Sequence, residues 1–181
     1  SRDGVRCEPA GPVDRSRVTR DRAGRIVRRT HGDTTFLYTY DARGNLTSTI
    51  YPNQSVDRIG GYDPAGDPLS FINRRGQTLS YTYNAAGQIT RQTLQDQTFN
   101  DFTYDARGNL RTVTEPGNKV TTFDYDSGDR LTLVTYPSGR YLAFGYDQFG
   151  RRSTMTDQAG FVVNYAYDSA ARHIACVQLQ T

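Results

Sequence analysis

The sequence predicts an all-β fold: tandem hairpins of about 21 residues, laid side by side in an antiparallel sheet. Three observations predict it. Tyr recurs at 40, 62, 83, 104, 125, 146 and 167, so that one spacing is 22 residues and the other five are 21. Turn-forming residues come twice in every period, and the short segments between them alternate ring with polar residue, which is the period of a strand. Composition agrees: only 35% of the chain is hydrophobic, yet it carries 13 Tyr and 8 Phe and no Trp, a weighting toward residues that suit pleated, half-buried surfaces.

The first unit is degenerate: Arg20-Asp21-Arg22-Ala23-Gly24-Arg25-Ile26 keeps the turn and lacks the Tyr. From the second unit on, the Tyr is followed by Asp at 41, 63, 105, 126, 147 and 168, with Asn84 as the one substitute. Four places past the Tyr stands Gly44, Gly66, Gly87, Gly108 or Gly150; the sixth unit has Asp129 there with its glycine displaced to Gly128, and the last has Ala171. Two places before the Tyr stands another ring, Tyr38, Tyr81, Phe102, Phe123, Phe144 or Tyr165, with Gly60 as the exception. About half a period away come Gly32, Pro52-Asn53, Gly76, Asp96, Pro116-Gly117-Asn118, Pro137-Ser138-Gly139 and Gly160. Pro presets φ and Gly or Asn accepts a positive one, so these are second turns. What remains in each unit is two segments of strand length, too short for a helix of average size.

The first segment alternates cleanly. Phe36, Tyr38 and Tyr40 fall on one face, as do Leu79, Tyr81 and Tyr83, and Phe161, Val163, Tyr165 and Tyr167. The second opens on Leu46, Leu69, Ile89, Leu110 or Leu131, but on Arg152 and His173 in the last two units, and its faces are ambiguous. Tyr-Asp-x-x-Gly-x-Leu is a hairpin connection: Asp bonds the backbone two residues on, Gly takes the left-handed conformation, and Tyr and Leu bracket the turn. Tyr at one register in successive units predicts a ladder of rings in edge or offset contact. No unit can bury its own ring face, so the array is held by its neighbours.

With these columns in place, the chain resembles YD-repeat proteins of the rearrangement-hotspot (Rhs) family, whose consensus is Tyr-Asp-x-x-Gly-Arg-Leu. The resemblance runs over residues 18–175, as about eight units, leaving 1–17 as an irregular basic lead-in and 176–181 as a tail. It implies a sheet that spirals into a section of a hollow shell. It also implies a role in enclosing or presenting a toxic polypeptide, as in bacterial polymorphic toxins and Tc-toxin cocoons, or in building the barrel of teneurins. Partners implied are further repeats of the same parent chain, an encapsulated toxin domain and cell-surface carbohydrate, in a secreted or cell-surface bacterial setting. The family's Asp-Pro-x-Gly core motif is matched in letters by Asp63-Pro64-Ala65-Gly66, which occupies an ordinary turn slot.

Catalytic chemistry finds no residues. Asp residues about 21 positions apart sit on separate hairpins and do not converge as a calcium loop's ligands would. His31 and His173 are far apart in sequence, and no Gly-x-Ser-x-Gly, P-loop, His-Glu-x-x-His or Cys-x-x-Cys is present. Cys7 and Cys176 are too few for a disulfide framework or a zinc site. No cofactor, metal or nucleic-acid partner is expected, and no transmembrane segment or signal peptide; the chain, which does not open on Met, reads as a piece. The net charge of +3 conceals nine Arg against four acids in residues 1–31. Two function classes remain: a structural shell segment built on the repeated Tyr, Asp or Asn, and Gly positions, and a carbohydrate- or cell-surface-binding module stacking sugars on Tyr38, Tyr81, Tyr83 or Tyr165.

Overall fold

A computed structural model describes residues 16–168 and the backbone of 173–179. Cys7 and the basic segment up to Arg15 lie outside the described residues, as does Ala171. Sixteen strands follow one another: β1 Ser16–Arg20, β2 Ile26–His31, β3 Thr34–Tyr40, β4 Leu46–Ile50, β5 Val56–Ile59, β6 Ser70–Ile72, β7 Thr78–Tyr83, β8 Ile89–Thr93, β9 Phe99–Tyr104, β10 Leu110–Glu115, β11 Lys119–Tyr125, β12 Leu131–Thr135, β13 Tyr141–Tyr146, β14 Arg152–Asp157, β15 Val162–Tyr167 and β16 His173–Leu179. Among the described residues there is no helix. Strand order in the sheet is chain order and the pairings are antiparallel, as the sequence predicts. The strand β16 carries the chain through Cys176 and into the segment read as a tail, because β15 offers it a full-length partner from Val162 to Tyr167.

Contacts divide the chain into two compact units, Ser1–Ser80 and Tyr81–Thr181. In the first, Phe36, Tyr38 and Tyr40 are half-buried and alternate with exposed Leu37 and Thr39. Pairing extends the ring face to Arg29, which lies opposite both Phe36 and Val18. The other face carries Arg28 opposite Leu37 and Thr19, and Thr30 opposite Thr35 and Arg17. In the second unit Phe123 lies opposite Val134, which lies opposite Leu142, while Phe144, Met155 and Val163 continue the same face. Among the described residues of each unit, strands touch only their sheet neighbours. Val134 at 7% exposure is the one buried hydrophobic residue among those described.

The ambiguity of the second segment has a definite cause. After the Tyr-anchor pair the register slips by one residue in the second, sixth and seventh units: Tyr40 faces Leu46 but Thr39 faces Ser48, Tyr125 faces Leu131 but Asp124 faces Leu133, and Tyr146 faces Arg152 but Gly145 faces Thr154. The same slip follows Arg20–Ile26 and Tyr104–Leu110. This is a β-bulge, one extra residue on the second strand. It puts Leu131 and Val134 on the ring face three residues apart, where plain alternation would separate them. The face opposite the rings is knitted by hydroxyls: Thr39 bonds Thr47 at 2.8 Å and Ser48 at 2.7 Å, Thr82 bonds Thr90 at 2.9 Å, and Thr103 bonds Thr112 at 2.6 Å.

The third unit departs from the rest. Leu69 stands outside β6, 42% exposed, so it does not open a strand as its column suggests. Gly61 takes a φ of 137° and its carbonyl accepts the Leu69 N–H at 2.9 Å, while Tyr62 makes an isolated bridge to Pro68. Gly60 interrupts the ring column because a Cβ there would run into the Ser70 hydroxyl.

Most turns place Gly at positive φ, but the second turns after β4 and β8 use Gln54 at 66° and Gln97 at 67°. A left-handed residue with a Cβ costs roughly 1–2 kcal/mol, part of which glycine recovers at the expense of unfolded-state freedom. Gln54→Gly and Gln97→Gly are each expected to raise stability by about 0.5–1 kcal/mol in urea unfolding. A loss in either variant would show that the glutamine side chain compensates the turn.

Candidate functional site: the repeated Tyr-Asp turn

The turns at Asp41, Asp63, Asp105, Asp126 and Asp147 are each organised by one carboxylate. Asp41 Oδ1 accepts the backbone N–H of Arg43 at 2.9 Å and of Asn45 at 2.8 Å. Asp105, Asp126 and Asp147 repeat the pattern with Arg107 and Asn109, Gly128 and Arg130, and Phe149 and Arg151. Asn84 does the same through its amide oxygen, to Ala86 and Gln88. In the Asp63-Pro64-Ala65-Gly66 turn, Asp63 Oδ1 takes the N–H of Gly66 and Asp67, both at 2.9 Å. Gly44, Gly66, Gly87, Gly108 and Gly150 all have positive φ, from 74° to 97°. In the sixth unit Asp129, at 60°, itself takes the left-handed position, so the displaced Gly128 does not substitute for it. Asp168 lies at the end of the described segment after β15.

The second carboxylate oxygen belongs to the residue four places on. Arg25, Arg130 and Arg151 give Nε–H to Asp21, Asp126 and Asp147 at 2.7, 2.6 and 2.7 Å. The same guanidinium then lies over the ring of the next signature tyrosine: Arg25 over Tyr40 at 4.9 Å, Arg130 over Tyr146 at 4.9 Å, Arg151 over Tyr167 at 4.5 Å. At two of the amides in this slot the tie is a hydrogen bond: Asn109 donates to Asp129 at 2.6 Å and Gln88 to the Gly108 carbonyl at 2.8 Å, while Asn45 bonds its own Asp41. This column is the Arg position of the repeat consensus, and its members, Arg25, Asn45, Asp67, Gln88, Asn109, Arg130 and Arg151, are all polar.

The tyrosines complete the joint. Tyr40, Tyr62, Tyr104, Tyr146 and Tyr167 donate their hydroxyls to the carbonyls of Ile26, Leu46, Ile89, Leu131 and Arg152, at 2.6–2.8 Å. The acceptor is always the anchor residue of the preceding hairpin. That explains how Arg152 fills an apolar column: the backbone carbonyl serves, and the side chain lies over Phe144 at 4.4 Å. The expected ladder of ring-on-ring contacts is therefore replaced at Tyr40, Tyr62, Tyr104 and Tyr146 by O–H to carbonyl bonds, with Arg inserted over Tyr40 and Tyr146. A ring pair in edge contact joins Phe36 and Tyr51, at 5.7 Å and 71°. Tyr83 and Tyr125 end β7 and β11 in the same slot.

Burial lifts the hydroxyl pKa of Tyr62, Tyr104 and Tyr125, keeping these groups as donors. Asp126 is held below the usual carboxylate range by the Arg130 guanidinium and backbone N–H; Asp41 and Asp105 are held low by the backbone N–H of Asn45 and Asn109. Their oxygens are spent on their own turns, and among the described residues no three His, Cys, Asp or Glu side chains gather where a metal could sit. The rings proposed for stacking, Tyr38, Tyr81 and Tyr165, are half-buried on β3, β7 and β15, with Tyr165 Oη 3.9 Å from Met155 Sδ. His31 ends β2, paired with Ser16 and Thr34, its Nδ1 3.1 Å from the Ser16 hydroxyl.

Two family descriptions match the chain, Teneurin YD-shell over residues 59–156 and RHS repeat over residues 14–56. No curated protein matches it. Its fold is similar to that in a Photorhabdus luminescens Tc holotoxin pore carrying the mutation TccC3-D651A, with a TM-score of 0.70 at 17% identity over 88% of this chain. Crystal structures of TcdB2-TccC3-TEV and of TcdB2-TccC3 without its hypervariable C-terminal region are similar with a TM-score of 0.63, at 14% identity over 90% of this chain. The chain spans about a tenth of each, 10% of the first and 11% of the others. With more than half its length matched and the Tyr-Asp turn repeated along it, the chain belongs to the Teneurin YD-shell family.

Proposed function

We propose that the chain is a non-catalytic structural section of a larger YD-repeat shell, which encloses or presents a toxin or effector domain of the same parent chain in a secreted or cell-surface setting. One observation carries this reading: within each unit the ring face of the sheet is covered by nothing else of that unit among the described residues, while the signature Asp carboxylates hold their own turns and the Tyr hydroxyls join one hairpin to the one before it. A face built that way is a wall, and its worth lies in what stands behind it. The fraction of the toxin chains that it spans supports a parent with many more units, and β1 and β16, each paired on one side among the described residues, offer edges for them.

Limited proteolysis of the parent chain tests the proposal. The segment enclosed should resist protease while the array is intact and become cleavable when Tyr146→Ala and Asp147→Ala loosen it. Equal cleavage in both would sink the reading. Saturable glycan binding abolished by Tyr81→Ala with circular dichroism unchanged would instead favour a binding module.

A further inference from the structure

The geometry points to an oxyanion site on the β1–β2 hairpin, on the face opposite the rings. A cavity of about 540 Å³ is lined there by Ser16, Arg17, Thr19, Arg28, Thr30 and Gly32. Register makes it a checkerboard: Arg17 lies opposite Thr30 and Thr19 opposite Arg28, so two guanidinium groups stand on one diagonal and two hydroxyls on the other. Arg17, Thr19 and Arg28 are exposed. Every lining side chain that bears hydrogen-bonding groups can donate, and none is acidic.

Five arginines elsewhere show the partner that such a guanidinium takes. Arg25, Arg91, Arg107, Arg130 and Arg151 each meet a carboxylate within 4 Å. On β8, Arg91 has Asp101 directly across the ladder and grips it with two nitrogens, at 2.6 and 2.9 Å. On β2, the residue across from Arg28 is Thr19 on one side and Leu37 on the other. Neither Arg17 nor Arg28 has a carboxylate partner among the described residues. Of the acids nearby, Asp21 is committed to its own turn and to Arg25, and Asp33 does not line the cavity. Two guanidinium groups and two hydroxyls facing one cavity with no acid in its lining suit a tetrahedral oxyanion, phosphate or sulfate, carried as a free ion or as an ester on a small ligand: the fork of Arg matches its oxygens in pairs and Thr hydroxyls bond the rest.

Titration of the chain with sodium sulfate and sodium phosphate against sodium chloride, at constant ionic strength, tests this by calorimetry or by amide shifts. Saturable binding of either oxyanion is expected, weakened at least about fivefold by Arg17→Gln or Arg28→Gln, given the strength of charge-assisted bonds. Arg91→Gln, which removes a guanidinium already paired, should leave it unchanged. Arg28→Lys keeps the charge without the fork and should fall between; it also serves if Arg28→Gln disturbs the hairpin by circular dichroism. A preference between the two ions names the ester. Absence of saturable binding, or binding that survives both Arg17→Gln and Arg28→Gln, overturns the proposal.

Discussion

Tyr146→Ala is expected to destabilise the chain by about 2–4 kcal/mol, and Tyr146→Phe by about 1–2 kcal/mol. The two substitutions separate two parts of one joint. Phe keeps the ring under Arg130 at 4.9 Å and loses only the bond to Leu131, but it leaves that carbonyl without its donor, which costs more than the bond gained in folding. Ala removes the ring as well, and with it the guanidinium's seat and a share of the cover over the one buried residue's face. Because a linear array is stabilised between neighbours, the loss should split unfolding into steps rather than lower a single transition uniformly. Tyr136, which is 42% exposed and outside the signature, is the control; Tyr136→Phe should stay within about 0.5 kcal/mol. Urea unfolding followed by tyrosine fluorescence measures all three, and a Tyr146→Phe variant indistinguishable from the parent would mean that the joint is only packing.

Acid is expected to dismantle the array steeply. Asp21, Asp41, Asp105, Asp126 and Asp147 all sit below the ordinary carboxylate value of 3.8 in the folded chain. A folded-state pKa lowered below the unfolded one means stability that is present above 3.8 and is lost as pH falls through the folded values. The same group recurs in five of the units, so the protons are taken up together, and the urea midpoint should hold to about one unit above 3.8 and then collapse. At the other end, the raised hydroxyl values of Tyr62, Tyr104 and Tyr125 give stability that is full below 10.0 and lost as the phenols ionise above it. Asp126→Asn offers a clean dissection: Asn84 shows that an amide can hold the same turn, so the variant should fold and have a shallower acid limb. A midpoint that does not move between neutral pH and 3 would show that these carboxylates are not tied in the folded state.

Much of this was legible in the sequence, and the illegible part has a common origin. Period, turns, ring face and the role of Asp41 or Asp147 follow from residues that act on their own backbone within five positions. What the sequence hides is whatever joins one hairpin to another. The acceptor for Tyr104 is a carbonyl, Ile89, that carries no side-chain signal at all. The partner column of Arg25, Gln88 and Asn109 mixes three chemistries that only a common position in space makes equivalent. The ring ladder gives way at Tyr146 for the same reason: period places the tyrosines at equal register and says nothing of Arg130 coming between. Asp129 shows the limit at single residues, for glycine's conformation was filled there by a side chain that also serves the neighbouring turn.

The bulge makes an odd repeat length possible. Faces of a sheet are a matter of parity: step across two strands by pairing, and a residue either returns to its own side or does not. From Phe123 the pairs lead to Val134 and then to Leu142, and two residues further stands Phe144, one period of 21 later and on the same side. Remove the slip between Tyr125 and Asp124, and the same walk ends on Ala143, with Phe144 on the far side. Every following ring would then change sides, unit after unit. The single even spacing, the 22 residues from Tyr40 to Tyr62, is where the chain needs a second irregularity, and there Gly61 turns to a φ of 137° while Tyr62 still reaches the Leu46 carbonyl at 2.6 Å. Length in such an array is thus checked modulo two: a lost or gained residue is tolerated where another flaw cancels it, and otherwise turns the remainder of the wall inside out.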